Sequence, residues 1–444
     1  MFKITVEDAK PSKKKLHIEI PTEDVLKKEA EIVGNIRKTA NIKGFRKGKV
    51  PKDIIMKTYK KDIEEDTKRE LMNVAYEFAV SEYKLNPVSN PVFTSVLYEE
   101  NKPFSFDASV DVKPQFELKE YKHIPVTKES LKVTQDEIEK AIKQLQEAFS
   151  SLEDKNGVVE DEDIVVLSIN SIDKKTNNPI KEFSGENLYV EMGKKQLIEE
   201  IEKEIYGTKA GDEKIFDVKF NNDYPLRFIK GKDITFDVKI KSVKRKVPPE
   251  LNDEFAQKVN KEFKTFDDLK KDVETKLLEN KKNLEINRQK DEIVKYLLNE
   301  YDFELPESLV NQEANNIMVE YVKNMYYAGA DVNAEEYKPA NLRKRFLPEA
   351  TKRVKSTFIL LAIGDKEKID VSSDEIKKAI SDEAVARKTS FENLYKEYEE
   401  KNLLPIIEMD ILGDKVLDFL YENRSIVEKK ETDEASNEKQ KEEK

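Results

Sequence analysis

The sequence lacks cysteine and tryptophan and contains only two histidines among its 444 residues. Without cysteine, the chain can form no disulfide, no catalytic thiolate and no Cys-ligated zinc site. His17 and His123 lie far apart along the chain, so neither a two-histidine metal site nor a Ser-His-Asp triad is expected. We therefore predict no metal and no cofactor, and we interpret both histidines as surface or sheet-edge residues.

Long hydrophobic runs are also missing. The longest covers the six residues 358–363, whereas about 20 are needed to span a bilayer. Residues 1–6 lack the apolar core of a secretory signal, so we expect a cytoplasmic protein without membrane contacts. The net charge of -11 argues against general affinity for nucleic acid. Contact with RNA would therefore require a local basic patch.

The chain is too long for one compact core, and its length predicts roughly three domains at about 150 residues each. Charged residues make up 39% of the chain and hydrophobic residues 38%. This balance is polar for a compact enzyme but too apolar for a wholly disordered chain. It favours an elongated α+β multidomain protein, in which long helices keep wide solvated faces around small cores.

The first ~110 residues predict a mixed α/β unit. Residues 15–20 alternate as a half-buried strand does, and Pro21 and Thr22 begin a helix. A second helix is predicted at about 62–83, followed by a strand at 104–110. A basic, glycine-containing loop separates the two helices.

The middle of the chain predicts a β-rich insertion between helical segments. Thr134 and Glu137 form a capping-box pattern for a helix predicted to end near 156–157. Three strands are then predicted, at 164–169, 214–218 and 234–240.

From Pro248 onward the chain predicts helices. Thr265 begins a long one, whose apolar stripe comprises Leu269, Val273, Leu277, Leu284, Ile293 and Leu297. Residues 428–444 hold seven acidic residues and five lysines, a composition that predicts a disordered tail.

The most informative segment is the loop of residues 44–51, Gly-Phe-Arg-Lys-Gly-Lys-Val-Pro. Residues 43–61 contain eight basic side chains and a single acid, Asp53, in an otherwise acidic chain. The segment is either a solvated lysine face or a binding loop. An exposed Phe45 beside cations favours a partner made of phosphates and acidic protein. A P-loop is excluded, because the glycine spacing is one residue short and Val50 replaces the required hydroxyl.

This loop resembles the ribosome-docking signature of the bacterial trigger factor family, and the order of predicted elements resembles that family over all but the tail. The resemblance implies a ribosome-binding domain at 1–113, a linker helix at 114–157, an FKBP-like prolyl isomerase domain at 158–246 and an all-helical chaperone domain at 247–427. It also implies ribosome-binding residues at Gly44, Phe45, Arg46, Lys47, Gly48 and Lys49.

By the same resemblance, the chain is an ATP-independent chaperone that binds nascent and unfolded polypeptides. Phe45, Arg46 and Lys47 would contact a large-subunit protein near the exit tunnel, and nearby lysines would contact ribosomal RNA. Family analogy also implies a homodimer away from the ribosome. We call the polypeptides bound by the chaperone its clients. Six residues at helical spacing would either bind clients or pack helices together: Ile317, Met318, Tyr321, Met325, Tyr326 and Tyr327.

The resemblance further implies a prolyl isomerase pocket at Phe183, Ile198, Tyr224 and Phe236. The family's Pro-Gly-aromatic stretch is replaced here by Glu199, Glu200 and Ile201. The domain is therefore either a weakened isomerase or an FKBP-like scaffold that assists client binding. Two alternatives to the chaperone remain. One is a protein that acts mainly as a prolyl isomerase, to which the helical regions deliver substrates. The other is a periplasmic chaperone, which would need an export signal that residues 1–6 do not offer.

Overall fold

The structure, a computed structural model, describes residues 2–43, 45–129 and 131–427. Its strands are β1 (Lys3–Lys10), β2 (Lys13–Ile20), β3 (Val92–Leu97), β4 (Phe104–Asp111), β5 (Pro125–Thr127), β6 (Ser151–Asp154), β7 (Ile164–Asp173), β8 (Gly185–Glu191), β9 (Glu213–Lys219), β10 (Asp233–Val247) and β11 (Ser425–Val427). Its α-helices are α1 (Thr22–Thr39), α2 (Lys52–Thr58), α3 (Lys60–Glu82), α4 (Gln135–Ala148), α5 (Glu199–Ile205), α6 (Asp253–Val259), α7 (Phe266–Glu300), α8 (Glu307–Tyr327), α9 (Pro339–Glu367), α10 (Ser373–Ala386), α11 (Phe391–Glu400) and α12 (Leu404–Glu422).

The described chain divides into two compact units. The first comprises the segments up to 124, 293–318 and 342–424, and the second comprises 125–292, 319–341 and the residues from 425 onward. The mixture of strands and helices in more than one domain confirms the fold class predicted from the sequence. The domain boundaries predicted from the sequence stay a prediction, and the predicted tail at 428–444 lies outside the described residues. Among the described helices, none is long and apolar enough to cross a membrane.

The first unit contains an antiparallel sheet with strand order β1-β2-β4-β3. Alternate residues of β2 and β4 are fully buried beneath α3, with Leu16, Ile18, Phe104 and Phe106 at the centre of this core. The predicted strands at 15–20 and 104–110 are confirmed, as is the helix that begins at Thr22. Strand β1 was not predicted, because it forms a largely exposed sheet edge with little apolar alternation.

The helical part of the first unit packs α9 against α12. The six-residue apolar run at 358–363 lies in α9, where Phe358, Ile359, Leu360 and Ile363 are buried. Gly364 allows the close approach of α12, since a Cβ atom at this position would lie 3.2 Å from side-chain atoms of Leu412 and Val416. The run is thus a core segment, which explains its hydrophobicity without a membrane.

The second unit contains a five-stranded antiparallel sheet built on the long strand β10, which pairs with β7, β6 and β9. Strand β8 extends the sheet beyond β7. The predicted strands at 164–169, 214–218 and 234–240 are confirmed. We call this β-rich part, residues 158–246, the head.

The capping box predicted for α4 is confirmed. The Thr134 hydroxyl accepts a hydrogen bond from the Glu137 N–H, and the Glu137 carboxylate accepts one from the Thr134 N–H at 2.8 Å. The prediction that this helix continues to 156–157 is wrong, because α4 ends at Ala148. Residues 151–154 instead pair with residues 244–247 of β10. Long-range strand pairing therefore decided the end of the helix.

The long helix α7 begins as predicted, with the Asp268 N–H donating to the Thr265 hydroxyl at 3.2 Å. The predicted apolar stripe is wrong at one position, because Leu284 is exposed. Polar Glu285 and Gln289 are buried instead, facing the segment that contains Thr127. That segment presents main-chain groups that need hydrogen-bond partners, so a polar face replaces the apolar stripe.

A network of hydrogen bonds connects α7 to the segment 127–129. The Glu285 carboxylate accepts hydrogen bonds from the Glu129 N–H at 3.0 Å, the Gln289 amide at 2.6 Å and the Arg288 guanidinium at 2.7 Å. Arg288 also donates to the Thr127 hydroxyl at 3.1 Å. These bonds, led by that from Arg288, lower the pKa of Glu285 to about 2.

Candidate functional site

The basic loop lies between α1 and α2 and is fixed at both ends by a small apolar core. Val50 and Ile55 are fully buried in this core beside Ile32 and Val33 of α1. Within the loop, the Phe45 N–H donates to the Ile42 carbonyl at 3.0 Å, and the Lys49 N–H donates to the Arg46 carbonyl at 3.0 Å. The short turns therefore lie next to a buried apolar core.

The tip of this loop presents one aromatic ring and three cations to solvent. Phe45 is 39% exposed, and Arg46, Lys47 and Lys49 are also exposed. Among the described residues, none of these three cations forms an ion pair with an acidic side chain. Gly48 has a φ of 76°, a conformation that side-chain-bearing residues rarely adopt. Gly44, the remaining predicted member, lies outside the described residues.

The second candidate site lies in the head. The sequence-predicted residues Phe183, Ile198, Tyr224 and Phe236 all belong to or pack against one apolar cluster. Phe236 is fully buried, whereas Phe183, Ile198 and Tyr224 are half-buried. The structure therefore places Phe236 within this cluster and the other three predicted residues against it, and a shared pocket among them stays a prediction.

Two further rings support this region and were not among the predicted residues. Phe220 contacts Tyr224 edge to face at 4.8 Å between ring centroids, and it contacts Phe236 in the same way at 6.4 Å. Phe216 stacks on Phe236 at 5.6 Å. Phe216 lies in the predicted strand at 214–218 and Phe220 follows that strand, but periodicity alone does not separate pocket rings from core rings.

Acidic residues line the start of α5 beside these rings. The Tyr224 hydroxyl donates to the Glu200 carboxylate at 3.3 Å, and Glu199 forms an ion pair with Lys203 at 2.5 Å. Burial, followed by the nearby Glu200 charge, raises the pKa of Tyr224. The Tyr224 hydroxyl therefore stays protonated at neutral pH and donates this hydrogen bond to Glu200. Ile201 is buried in the core of the head.

Apolar side chains are also exposed on the helices. The end of α8 exposes Tyr326 and Tyr327, whereas Ile317 on the same helix is buried. Helix α12 exposes Ile406 and Met409. Of the helical residues for which client binding and helix packing were both left open, Ile317 thus packs in the core, and Tyr326 and Tyr327 are accessible.

Comparison with known proteins gives one consistent result. Two family models match the chain, described as bacterial trigger factor protein over residues 2–145 and as its C-terminus over residues 265–422. The chain is 32% identical to a trigger factor from Carboxydothermus hydrogenoformans, covering 96% of this chain and 100% of the relative. It is 33% identical to one from Syntrophus aciditrophicus, covering 97% of each chain.

A solved structure shares the fold. It is described as showing promiscuous substrate recognition in folding and assembly activities of the trigger factor chaperone. The match has a TM-score of 0.51 at 19% identity and covers 94% of this chain and 99% of the other.

Proposed function

The chain belongs to the bacterial trigger factor family, and from this premise we propose that it is an ATP-independent chaperone that docks on the large ribosomal subunit. It binds nascent and unfolded polypeptides near the exit tunnel. The observation that carries the proposal is the loop beside a buried apolar core, with exposed Phe45, Arg46 and Lys47.

The chemistry of this loop fits a ribosomal partner. An exposed aromatic side chain becomes favourable when it enters a pocket on another protein, and such anchors carry much of the energy of an interface. The cations beside it, which have no acidic partner within the described part of the chain, can contact phosphates without first breaking an ion pair. Each contact would release counterions from RNA and strengthen binding at low salt.

The helical regions supply the proposed client contacts. Exposed Tyr326, Tyr327, Ile406 and Met409 offer apolar or partly polar surface to many sequences. Such contacts are individually weak. Release therefore follows from client folding and fast dissociation rather than from nucleotide hydrolysis.

Two measurements test this function together. The full chain should pellet with ribosomes, and it should suppress aggregation of a client that contains no proline. A chain that protects only proline-containing clients would be acting as an isomerase. A chain that neither pellets nor protects would contradict the chaperone proposal.

A second function, prolyl cis-trans isomerisation, is favoured by the cluster around Tyr224. The reaction requires no acid, base or metal, because the enzyme lowers the amide rotation barrier of about 18–20 kcal/mol by binding the twisted peptide. Phe183, Ile198 and Tyr224 would contact the prolyl ring, with Phe236 supporting them from below. Glu200 opposes this binding, since an apolar substrate must displace water from its carboxylate.

Substitutions at Tyr224 and Glu200 should change the isomerase rate in opposite directions. Replacing Tyr224→Leu is expected to lower kcat/KM about tenfold, because it removes the ring and the hydroxyl. Replacing Glu200→Gln is expected to raise kcat/KM about threefold, since the amide oxygen still accepts a hydrogen bond from the Tyr224 hydroxyl but carries no charge. A protease-coupled assay with a prolyl tetrapeptide measures both effects.

Tyr189→Leu provides the control for this pair, because Tyr189 is a 64% exposed aromatic residue elsewhere in the head. Its rate should equal that of the wild type. If all four proteins fail to exceed the uncatalysed rate, the head is a client-binding scaffold and the isomerase proposal is wrong.

A further inference from the structure

A contact within the second unit joins the head to the turn that follows α8. We call residues 224–230 the head loop and residues 326–331 the latch turn. The head loop begins at Tyr224, the predicted pocket residue. The latch turn packs directly against the three residues that follow Pro225.

Main-chain groups form the centre of this contact. Leu226 and Ala330 form an antiparallel bridge, and the Arg227 N–H donates to the Gly329 carbonyl at 3.2 Å. Gly329 is buried and has a φ of 85°. A Cβ atom at Gly329 would lie 3.4 Å from Leu226 and 3.9 Å from Phe228. The latch turn therefore covers apolar side chains that also pack against the core of the head.

Two charged contacts flank the main-chain bridge. The guanidinium carbon of Arg227 lies 3.7 Å from the centroid of the Tyr326 ring. On the other side, Lys230 forms an ion pair with Asp331 at 3.0 Å. This pair, together with the Asn333 N–H, lowers the pKa of Asp331. Both flanking cations, Arg227 and Lys230, thus have a defined partner in the latch turn.

The contact is also small. Its polar part consists of one main-chain hydrogen bond between the two segments, one cation–π contact and one ion pair that stays partly solvated. Partly solvated ion pairs and single cation–π contacts each stabilise a structure weakly. A ligand that offers equivalent contacts can therefore replace the latch turn.

We propose that the latch turn is an intramolecular competitor that an extended polypeptide must displace to reach the surface beside Tyr224. An extended chain passing Tyr224 would meet the same Arg227 N–H and the same Leu226 and Phe228 side chains. Extended peptides commonly bind through such main-chain donors flanked by apolar pockets. The inference rests on the proposed function only in taking the head as a polypeptide-binding domain.

The first test measures the distance between the head and the segment that follows the latch turn. The native chain has no cysteine, so Lys219→Cys and Glu336→Cys can carry two spin labels at exposed positions of the second unit. Pulsed electron paramagnetic resonance should give one narrow distance. Saturating reduced and carboxymethylated lactalbumin, a permanently unfolded polypeptide, should broaden and lengthen it. A distance unchanged at saturation would overturn the proposal.

The second test uses charge reversal. Lys230→Glu and Asp331→Lys should each open the latch and raise the affinity for labelled carboxymethylated lactalbumin about three- to tenfold, measured by fluorescence anisotropy. The double variant should return both affinity and distance to wild-type values. A general charge effect would change the affinities of the two single variants in opposite directions, because one variant adds negative charge and the other adds positive charge.

Lys214→Glu is the matched control, since Lys214 pairs with Glu204 at 3.1 Å elsewhere in the head. It should bind the polypeptide as the wild type does. Wild-type affinity in both single latch variants would overturn the proposal. The same proteins assayed with a prolyl tetrapeptide report on catalysis separately. Absence of tetrapeptide turnover would reject the isomerase function while the distance and affinity measurements still decide the latch.

Discussion

Replacing Phe45, Arg46 and Lys47 together by alanine is expected to weaken ribosome binding about 100-fold, because the change removes an aromatic anchor and two cations at once. The wild-type chain should co-sediment with ribosomes at physiological salt, and the triple variant should remain in the supernatant. The loop ends are held by buried Val50 and by main-chain bonds rather than by the substituted side chains. The domain should therefore remain folded.

The salt dependence of binding separates the contribution of the Phe45 ring from that of the cations Arg46 and Lys47. Wild-type binding should weaken steeply as salt rises, and the triple variant should show a shallower slope because it makes fewer phosphate or carboxylate contacts. The control is Leu26→Ala/Lys27→Ala/Lys38→Ala, which removes one exposed apolar and two basic side chains from α1 of the same domain. Equal pelleting of wild type and loop variant would show that the loop is only a solvated turn.

Replacing Glu285→Ala is expected to destabilise the second unit by about 3 kcal/mol, because it leaves the part-buried Arg288 without its main partner. It also removes the hydrogen bonds that the Glu285 carboxylate accepts from the Glu129 N–H and the Gln289 amide. Hydrogen exchange should accelerate in peptides covering 127–129 and 285–292. Glu279→Gln, on the same helix, should have almost no effect. Unchanged exchange in the Glu285 variant would contradict this role.

The same carboxylate predicts a pH dependence of stability. Its pKa is lowered to about 2 in the folded chain, against about 4.3 for an unperturbed glutamate. The stabilisation is therefore complete above about pH 4.3 and is lost as the pH falls from there toward 2. Denaturant unfolding of the second unit, followed from pH 7 to pH 3, should show this loss. Glu285→Gln should unfold with a weaker dependence over the same range.

Some features of the chain follow from its sequence alone. The absence of cysteine, the short apolar runs and the acidic net charge limit its chemistry however the chain folds. The strands at 164–169 and 234–240, the capping box at Thr134 and the basic loop at 44–51 were also predicted. These features depend on neighbours within about one helical turn or one strand, so local pattern is sufficient to identify them.

Other features depended on residues distant in the sequence. The end of α4 at Ala148 was set by pairing with β10, almost 100 residues away, and the exposure of Leu284 was set by the main-chain groups near Thr127. The contact between the head loop and the latch turn joins segments about 100 residues apart, and its bridging residues Leu226 and Ala330 lie outside the described strands and helices. Tertiary structure decided these points because buried main-chain groups must find partners wherever the fold places them. A local pattern records no information about which distant segment will supply those partners.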